Sequence, residues 1–69
     1  MDNFEYDDYV KRMPISAADY ARLTEQSPVT VSRKRNGKLP IPFFEAALMA
    51  GFAETSKFVR FLESIQSKP

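Results

Sequence analysis

The prolines and glycines of this chain constrain its fold more than any other feature, because they divide it into short segments. Pro14 and Pro28 interrupt the first half of the chain, and Gly37, Pro40 and Gly51 interrupt the second. Proline lacks the amide hydrogen that a helix interior requires, and glycine readily adopts left-handed backbone conformations. Long helices are therefore excluded, and the chain must be built from short elements that end at these residues.

Three short helices are predicted in the first half of the chain, where apolar residues recur at intervals of three and four. Asn3 can cap the first helix, which ends before the first proline. Ser16 caps the second. Ser27 and Pro28 begin the third, because serine accepts from the unpaired amides and proline suits the first helical position. The run VTV that follows is β-branched and could instead form a strand.

Two more helices are predicted later in the chain. The segment FFEAALMA is apolar nearly all the way round, so we expect it to be a buried helix. Residues 56–66 form the last helix, which has a wide apolar face. These elements predict an all-α, compact five-helix fold, with residues 1–69 in one domain because so short a chain supports a single core. Three tyrosines at helical spacing are expected in that core or at its edge rather than stacked on single-stranded bases: Tyr6, Tyr9 and Tyr20.

The composition excludes several classes of function. The 69 residues include no cysteine and no histidine, which removes disulfides, thiolate nucleophiles, imidazole bases and the usual zinc ligands. No apolar run approaches the roughly 20 residues that cross a bilayer, and the first ten residues are acidic where a signal peptide is basic. We therefore expect a soluble, intracellular protein that is not an enzyme and has no metal site, cofactor, small-molecule substrate or membrane partner.

Charge is distributed unevenly along the chain, although its formal net value is only +1. No acidic residue lies between Glu25 and Glu45. Such a span has two interpretations: a solvated helix end, where cations interact favourably with the helix dipole, or a surface that binds the phosphates of a nucleic acid. Its cations lie in or beside the third predicted helix: Arg33, Lys34, Arg35 and Lys38.

The second and third predicted helices favour the nucleic-acid interpretation. Ala21 is small enough to let the two helices cross closely, and Val31 points to the same junction. The turn TEQS between them suits two helices that meet at a steep angle. In such a unit the second helix presents its outer side chains to the major groove, where arginine pairs with guanine and asparagine with adenine. Arg35 and Lys38 are expected at the sides of this helix, and its outward residues are these: Ser27, Val29, Ser32, Arg33 and Asn36.

The run YARLTEQSPVTVSRKRNGKLPIP resembles the helix-turn-helix of the small phage and bacterial regulators of the lambda repressor and Cro class. The resemblance implies a lambda-repressor-like domain with its helix-turn-helix at residues 16–37. It also implies a repressor or Cro-like switch that acts in the bacterial cytoplasm and binds double-stranded DNA as a homodimer. The matches to the pattern A-x-L-x-G-x-S-x-x-T-V-S-x-W-x-x-G-x-x-P-I-P are these: Ala21, Leu23, Ser27, Thr30, Val31, Ser32, Gly37, Pro40, Ile41 and Pro42.

The resemblance also implies which residues would touch DNA. Four of them would face bases: Val29, Ser32, Arg33 and Asn36. The contacts to the DNA backbone would come from the start of the second helix and from the third helix and its flanks: Ser16, Ala17, Ser27, Lys34, Arg35 and Lys38. The last predicted helix, residues 56–66, is a candidate for pairing two copies of the chain. Its apolar residues would either form that contact or complete the core: Phe58, Phe61, Leu62 and Ile65.

The chain departs from this family's pattern at three positions. Glu25 stands where the family usually has glycine, Gln26 where it has an aliphatic residue, and Lys34 where it has tryptophan or an aliphatic residue. A residue other than glycine at positive φ is unfavourable, so the turn is expected to be strained or reshaped. Lys34 is expected to lay its stem along apolar surface and keep its ammonium in water.

Two alternative interpretations remain. The same run is similar to the helix-turn-helix of Cox-type phage excisionases, in which GKLP leads into a β-hairpin wing, but the residues after Pro40 lack the alternation of a strand. The other alternative is a protein-binding adaptor, such as an antirepressor, that keeps the helix-turn-helix shape without binding DNA. The three departures from the family pattern favour this second alternative.

Overall fold

A computed structural model describes residues 1–52 and 54–66 of the chain. Within these residues all regular structure is helical, so the prediction of an all-α fold is confirmed, and the VTV run lies inside the third helix. No helix in this part of the chain is long and apolar enough to span a membrane. The helices are α1 (Asn3–Arg12), α2 (Ala17–Leu23), α3 (Pro28–Arg35), α4 (Phe43–Gly51) and α5 (Thr55–Gln66).

Side-chain caps begin each of the first three helices. Ser16 Oγ and Ser27 Oγ each accept from the amide three residues further on, at 3.1 Å, as predicted for α2 and α3. The cap of α1 differs from the prediction. It is Asp2 rather than Asn3, because the Asp2 carboxylate accepts from Glu5 N at 2.8 Å, and Asn3 is already the first helical residue.

The turns after α2 and α3 close in the same way. Gln26 N and Lys38 N each donate, at 2.8 Å, to the carbonyl five residues earlier, which is the hydrogen bond of a Schellman motif. The residue before each donor is left-handed: Gly37 has φ 76° and Glu25 has φ 58°. Glycine adopts this conformation without strain, whereas glutamate does not. The positive φ expected at the family's glycine position is therefore present, but on a residue that it strains.

The core takes one large, fully buried side chain from every helix. The prediction that the tyrosines lie in the core or at its edge is confirmed: two are fully buried, and Tyr9 is half-buried and packs against the core, with its ring 4.8 Å from the Arg12 guanidinium. Ala21 is also fully buried, and it lies with the buried α3 valine at the predicted junction of α2 and α3. The five fully buried large side chains are Tyr6, Tyr20, Val31, Met49 and Phe58.

The structure corrects the prediction that α4 is buried. Phe43 and Phe44 are 87% and 68% exposed, whereas Glu45 is only 5% exposed. The reason is orientation: the side of α4 that faces the core carries Glu45 and Met49, so the phenylalanines at its start lie outside. Burial within a single copy of the chain therefore accounts for Met49 and part of Leu48 but not for the two phenylalanines.

Candidate nucleic-acid interface

The four residues predicted to face bases lie together on the exposed side of α3. Val29, Ser32, Arg33 and Asn36 follow one another at steps of three, one and three residues, which places them on one side of a helix. All four are exposed in the structure. We call these four residues the outer face of α3. The sequence therefore predicted correctly which side of this helix meets solvent.

Both ends of α3 are held in place. Ser27 caps its start, and its Oγ also lies 2.9 Å from Thr30 Oγ1. Gly37 closes its end against the start of α1, because a Cβ built on Gly37 would lie 3.3 Å from Asn3 Cγ. Asn3 Nδ2 in turn donates to Arg35 O at 3.4 Å. These contacts fix the direction in which the outer face points.

Lys34 is the clearest correction to the sequence interpretation. It is 7% exposed, and its ammonium donates to Glu45 Oε1 at 2.8 Å and to Gln26 Oε1 at 2.5 Å. The prediction that its ammonium stays in water was therefore wrong. A buried ammonium already paired with a carboxylate cannot contact a DNA phosphate without unfolding the site around it, so Lys34 does not belong among the backbone-contacting residues.

A buried polar cluster surrounds Glu45 on the inner side of α3. Glu45 Oε2 accepts from Tyr6 Oη at 2.9 Å, from Tyr20 Oη at 2.5 Å and from Gln26 Nε2 at 3.2 Å, while Oε1 accepts from Lys34. No buried side-chain nitrogen or oxygen among the described residues lacks a partner. We call these five residues the Glu45 cluster. It joins α1, α2, the turn, α3 and α4 at one carboxylate.

Burial and hydrogen bonding shift the pKa values of Glu45, Tyr6 and Tyr20 in the Glu45 cluster. Burial alone would raise the pKa of Glu45, but hydrogen bonds from Lys34, Tyr20 and Tyr6 and the charge of Lys34 outweigh it, so its pKa lies below the ordinary value. Burial, together with the adjacent carboxylate, raises the pKa values of Tyr6 and Tyr20 well above their ordinary range. The cluster is therefore ionised at Glu45 and neutral at both tyrosines near neutral pH.

Sequence reasoning identified members of this cluster without connecting them. Gln26 and Lys34 stood out as separate departures from a family pattern, and Glu45 was part of an apparently apolar helix. A signal was present, however. Lys34 lies three residues after Val31 and therefore on the buried side of α3, and Glu45 is the one charged residue between Lys38 and Glu54. An isolated cation and an isolated anion on two buried sides are candidates for a pair.

Arg35 is tied to α1 instead of lying free beside the outer face. Its Nε donates to Asp7 Oδ1 at 2.6 Å, and its side chain is only 27% exposed. Asp7 also pairs with Lys11 at 3.0 Å. The hydrogen bonds from Arg35 and Lys11 hold the pKa of Asp7 below its ordinary value. Arg35 thus joins α1 to α3, and its ion pair with Asp7 makes its charge less available to a phosphate.

Two cations of the basic run remain available. Arg33 and Lys38 are exposed, and neither forms an ion pair within residues 1–52 and 54–66. Asn36 Nδ2 reaches Ser32 Oγ only at 3.5 Å, a weak contact that leaves the amide able to pair with a base. The positive charge that the sequence places along this segment is therefore concentrated at the outer face and its carboxyl end.

The other predicted contact residues are distributed around α2 and α5. Ser16 is exposed and Ala17 half-buried at the start of α2. Phe58 and Leu62 are buried in the chain's own core, so they complete the core, the second of the two predicted roles, rather than form a dimer contact. Phe61 and Ile65 are 39% and 47% exposed, and the Phe61 ring packs on Phe52 at 5.5 Å.

Comparisons with known proteins leave the assignment to geometry and chemistry. No family model, no curated protein and no solved structure matches the chain.

Proposed function

We propose that this protein is a sequence-specific regulator of transcription that binds double-stranded DNA through the outer face of α3. The observation that carries the proposal is that Arg33 and Asn36 lie three residues apart on one exposed side of a short capped helix. Arg33 forms no ion pair with a carboxylate of the described residues. Arginine and asparagine are the side chains that most often identify guanine and adenine in the major groove.

The scaffold behind α3 supports this assignment. Helix α3 packs on both α1 and α2, and a four-residue turn joins it to α2. A helix held on one side by two others, with its opposite side free, matches the arrangement in which a helix-turn-helix presents its second helix to the groove. We propose that residues 16–37 act as such a unit within a lambda-repressor-like domain, in the cytoplasm of a bacterial host.

Each residue of the candidate interface has a proposed role. Arg33 and Asn36 bind base edges, Ser32 donates or accepts at the same step, and Val29 contacts a thymine methyl group. Lys38 and the capping hydroxyls of Ser16 and Ser27 contact phosphates, as do the amide of Ala17 and the remaining guanidinium hydrogens of Arg35. Lys38 and Arg35 are the cations assigned to phosphates, so each copy of the chain would release few counterions, and the salt dependence would be modest, with a slope of about −2 per copy.

The test is selection of bound fragments from a random duplex pool, followed by titration at two salt concentrations. The proposal predicts an enriched motif and loss of that enrichment in Arg33→Ala. Arg60→Ala is the matched control, because Arg60 is an exposed arginine of α5 and not part of the outer face. Failure to enrich any motif, or equal effects of both substitutions, contradicts the proposal.

A second candidate function is that of a protein-binding adaptor. The observation that favours it is internal charge pairing: Lys34 and Arg35, two of the four cations in the basic run, are taken up by Glu45 and Asp7. The same titration separates the two functions, because an adaptor gives no complex with duplex DNA even at low salt.

A further inference from the structure

Helix α4 carries its charge inside and its aromatic side chains outside. Glu45, its one charged residue, is buried in the Glu45 cluster. Apart from Gly51, the exposed positions of the helix are Phe43, Phe44, Ala47 and Ala50, all of them apolar. A helix on the surface of a monomer normally shows the opposite pattern. We call these four exposed residues the α4 surface.

A mainly apolar cleft adjoins the α4 surface. It has a volume of about 240 Å³, and its apolar walls are Phe44 and Leu48 from α4 and Phe58 and Leu62 from α5. The rest of its lining is Pro42 and the polar side chains of Thr24, Gln26, Lys34 and Glu45. Pockets for small molecules are usually larger, at roughly 300–1,000 Å³. The cleft is therefore better matched to one or two apolar side chains of a protein than to a cofactor.

We propose that the α4 surface and its cleft bind a second copy of this chain, so that the protein is a dimer joined through α4. In a two-fold interface the same surface occurs on both partners, so each contact between two residues occurs twice, and residues near the axis meet their own copies. A charge near the axis would therefore meet a like charge and be repelled. The α4 surface has no charged side chain. Its aromatic rings project, and the adjoining cleft can receive apolar groups, so the same region of two copies is complementary to itself.

The available area supports a dimer of modest affinity. Phe43 and Phe44 are 87% and 68% exposed, so the two rings present roughly 300 Å² in each copy. Two copies provide roughly 600 Å² from the rings alone, and an interface of the ~1,000 Å² that specificity needs would take its remaining area from the alanines and the cleft walls. Phenylalanines grouped at the centre of a small interface can supply most of its binding energy.

This inference goes beyond the proposed function and does not depend on it. If the protein also reads DNA, a two-fold dimer would present two α3 helices to two half-sites. The contact between the two copies would come from α4, whereas the sequence predicts it for the last helix. The burial expected for FFEAALMA would then be provided by the second copy.

Sedimentation of charge-substituted variants without DNA tests the interface. The wild-type chain is expected to be dimeric at tens of micromolar, and Phe43→Glu is expected to weaken association more than tenfold. Phe4→Glu is the matched control, since Phe4 is 78% exposed on α1 and receives the same charge. A monomeric wild type, or equal association of Phe43→Glu and wild type, overturns the inference. So does an equal loss of association in Phe4→Glu.

Cysteine cross-linking provides a second readout, which the absence of native cysteine makes clean. Under mild oxidation Ala47→Cys should form disulfide-linked dimers faster than Ala18→Cys, in which the exposed alanine of α2 is replaced. Equal rates for the two variants overturn the inference. Neither experiment contains DNA, so a dimer that binds no duplex would refute the proposed function and leave this inference standing, and a monomer that enriches a motif would do the reverse.

Discussion

Arg33 and Lys34 are consecutive residues of α3, and the structure uses them in opposite ways. Arg33 lies on the outer face, exposed and without an ion pair among the described residues. Lys34 lies on the inner side, 7% exposed, bound to Glu45 and Gln26. The difference shows that charge density along a sequence does not measure charge available to a ligand. What decides is which side of the helix each cation occupies.

The largest expected effect separates the two sides by stability. Lys34→Met should lower the free energy of unfolding by about 3–5 kcal/mol, because it leaves the Glu45 carboxylate buried without its cation. Arg33→Met should change it by less than about 0.5 kcal/mol, because an exposed, unpaired side chain contributes little to stability. Urea denaturation followed by circular dichroism measures both. Similar losses in the two variants would erase the distinction between the sides.

The inner side should also make stability depend on pH in a defined direction. The pKa of Glu45 is lowered in the folded chain, so its contribution is complete above the ordinary carboxyl value of 4.5 and is lost as pH falls through the lower, folded value. The pKa values of Tyr6 and Tyr20 are raised, so their contribution is complete below the ordinary value of 10.0 and is lost above it. Urea midpoints across the pH range should therefore fall at both ends. A midpoint that stays constant through the acid range contradicts the ionised state of Glu45.

A smaller effect is expected at the edge of the outer face. Lys38→Ala should weaken binding to every duplex by about 1 kcal/mol and reduce the magnitude of the salt slope by about 1, because Lys38 is assigned to a phosphate. Lys57→Ala is the control, as Lys57 is an exposed lysine on α5. Binding titrations at several salt concentrations measure the slope. A loss confined to the selected motif would instead place Lys38 at a base.

The smallest effect concerns the turn that positions α3. Glu25→Gly should stabilise the fold by less than about 1 kcal/mol, because relief of the left-handed strain is partly offset by the entropy that glycine loses on folding. Gly37→Ala should do the opposite, since it adds a Cβ at φ 76° and at 3.3 Å from Asn3 Cγ. Thermal or urea unfolding compares the two matching turns. A destabilised Glu25→Gly would mean that the glutamate side chain has a role of its own.

Local signals in the sequence predicted the elements of the fold. Proline, glycine and serine placed the ends of the helices, and the spacing around Val31 placed the exposed side of α3. These features depend on residues near one another in the chain. The Glu45 cluster does not, since Tyr6 and Glu45 meet across 39 positions. To predict the Glu45 cluster, one would have to pair Lys34 with one distant anion, and helical periodicity does not identify such pairs.

The position of α4 could not be predicted for a related reason. Composition shows that a helix is apolar, but it does not show whether the apolar side faces its own core or another molecule. Phe43 and Phe44 look like core residues in the sequence, but both rings of α4 are exposed in the structure. The orientation depends on Glu45, whose four hydrogen-bonding partners lie in α1, α2, the turn and α3.

The central claim is that the outer face of α3 distinguishes one DNA sequence from another, and Arg33→Ala tests it most directly. Its affinity should be measured by fluorescence anisotropy on a duplex selected by the wild type and on a random duplex. The account predicts a loss of about 1–3 kcal/mol on the selected duplex, about tenfold or more, with nearly unchanged binding to the random one. Equal losses on both duplexes, or no binding of the wild type to either, would contradict it.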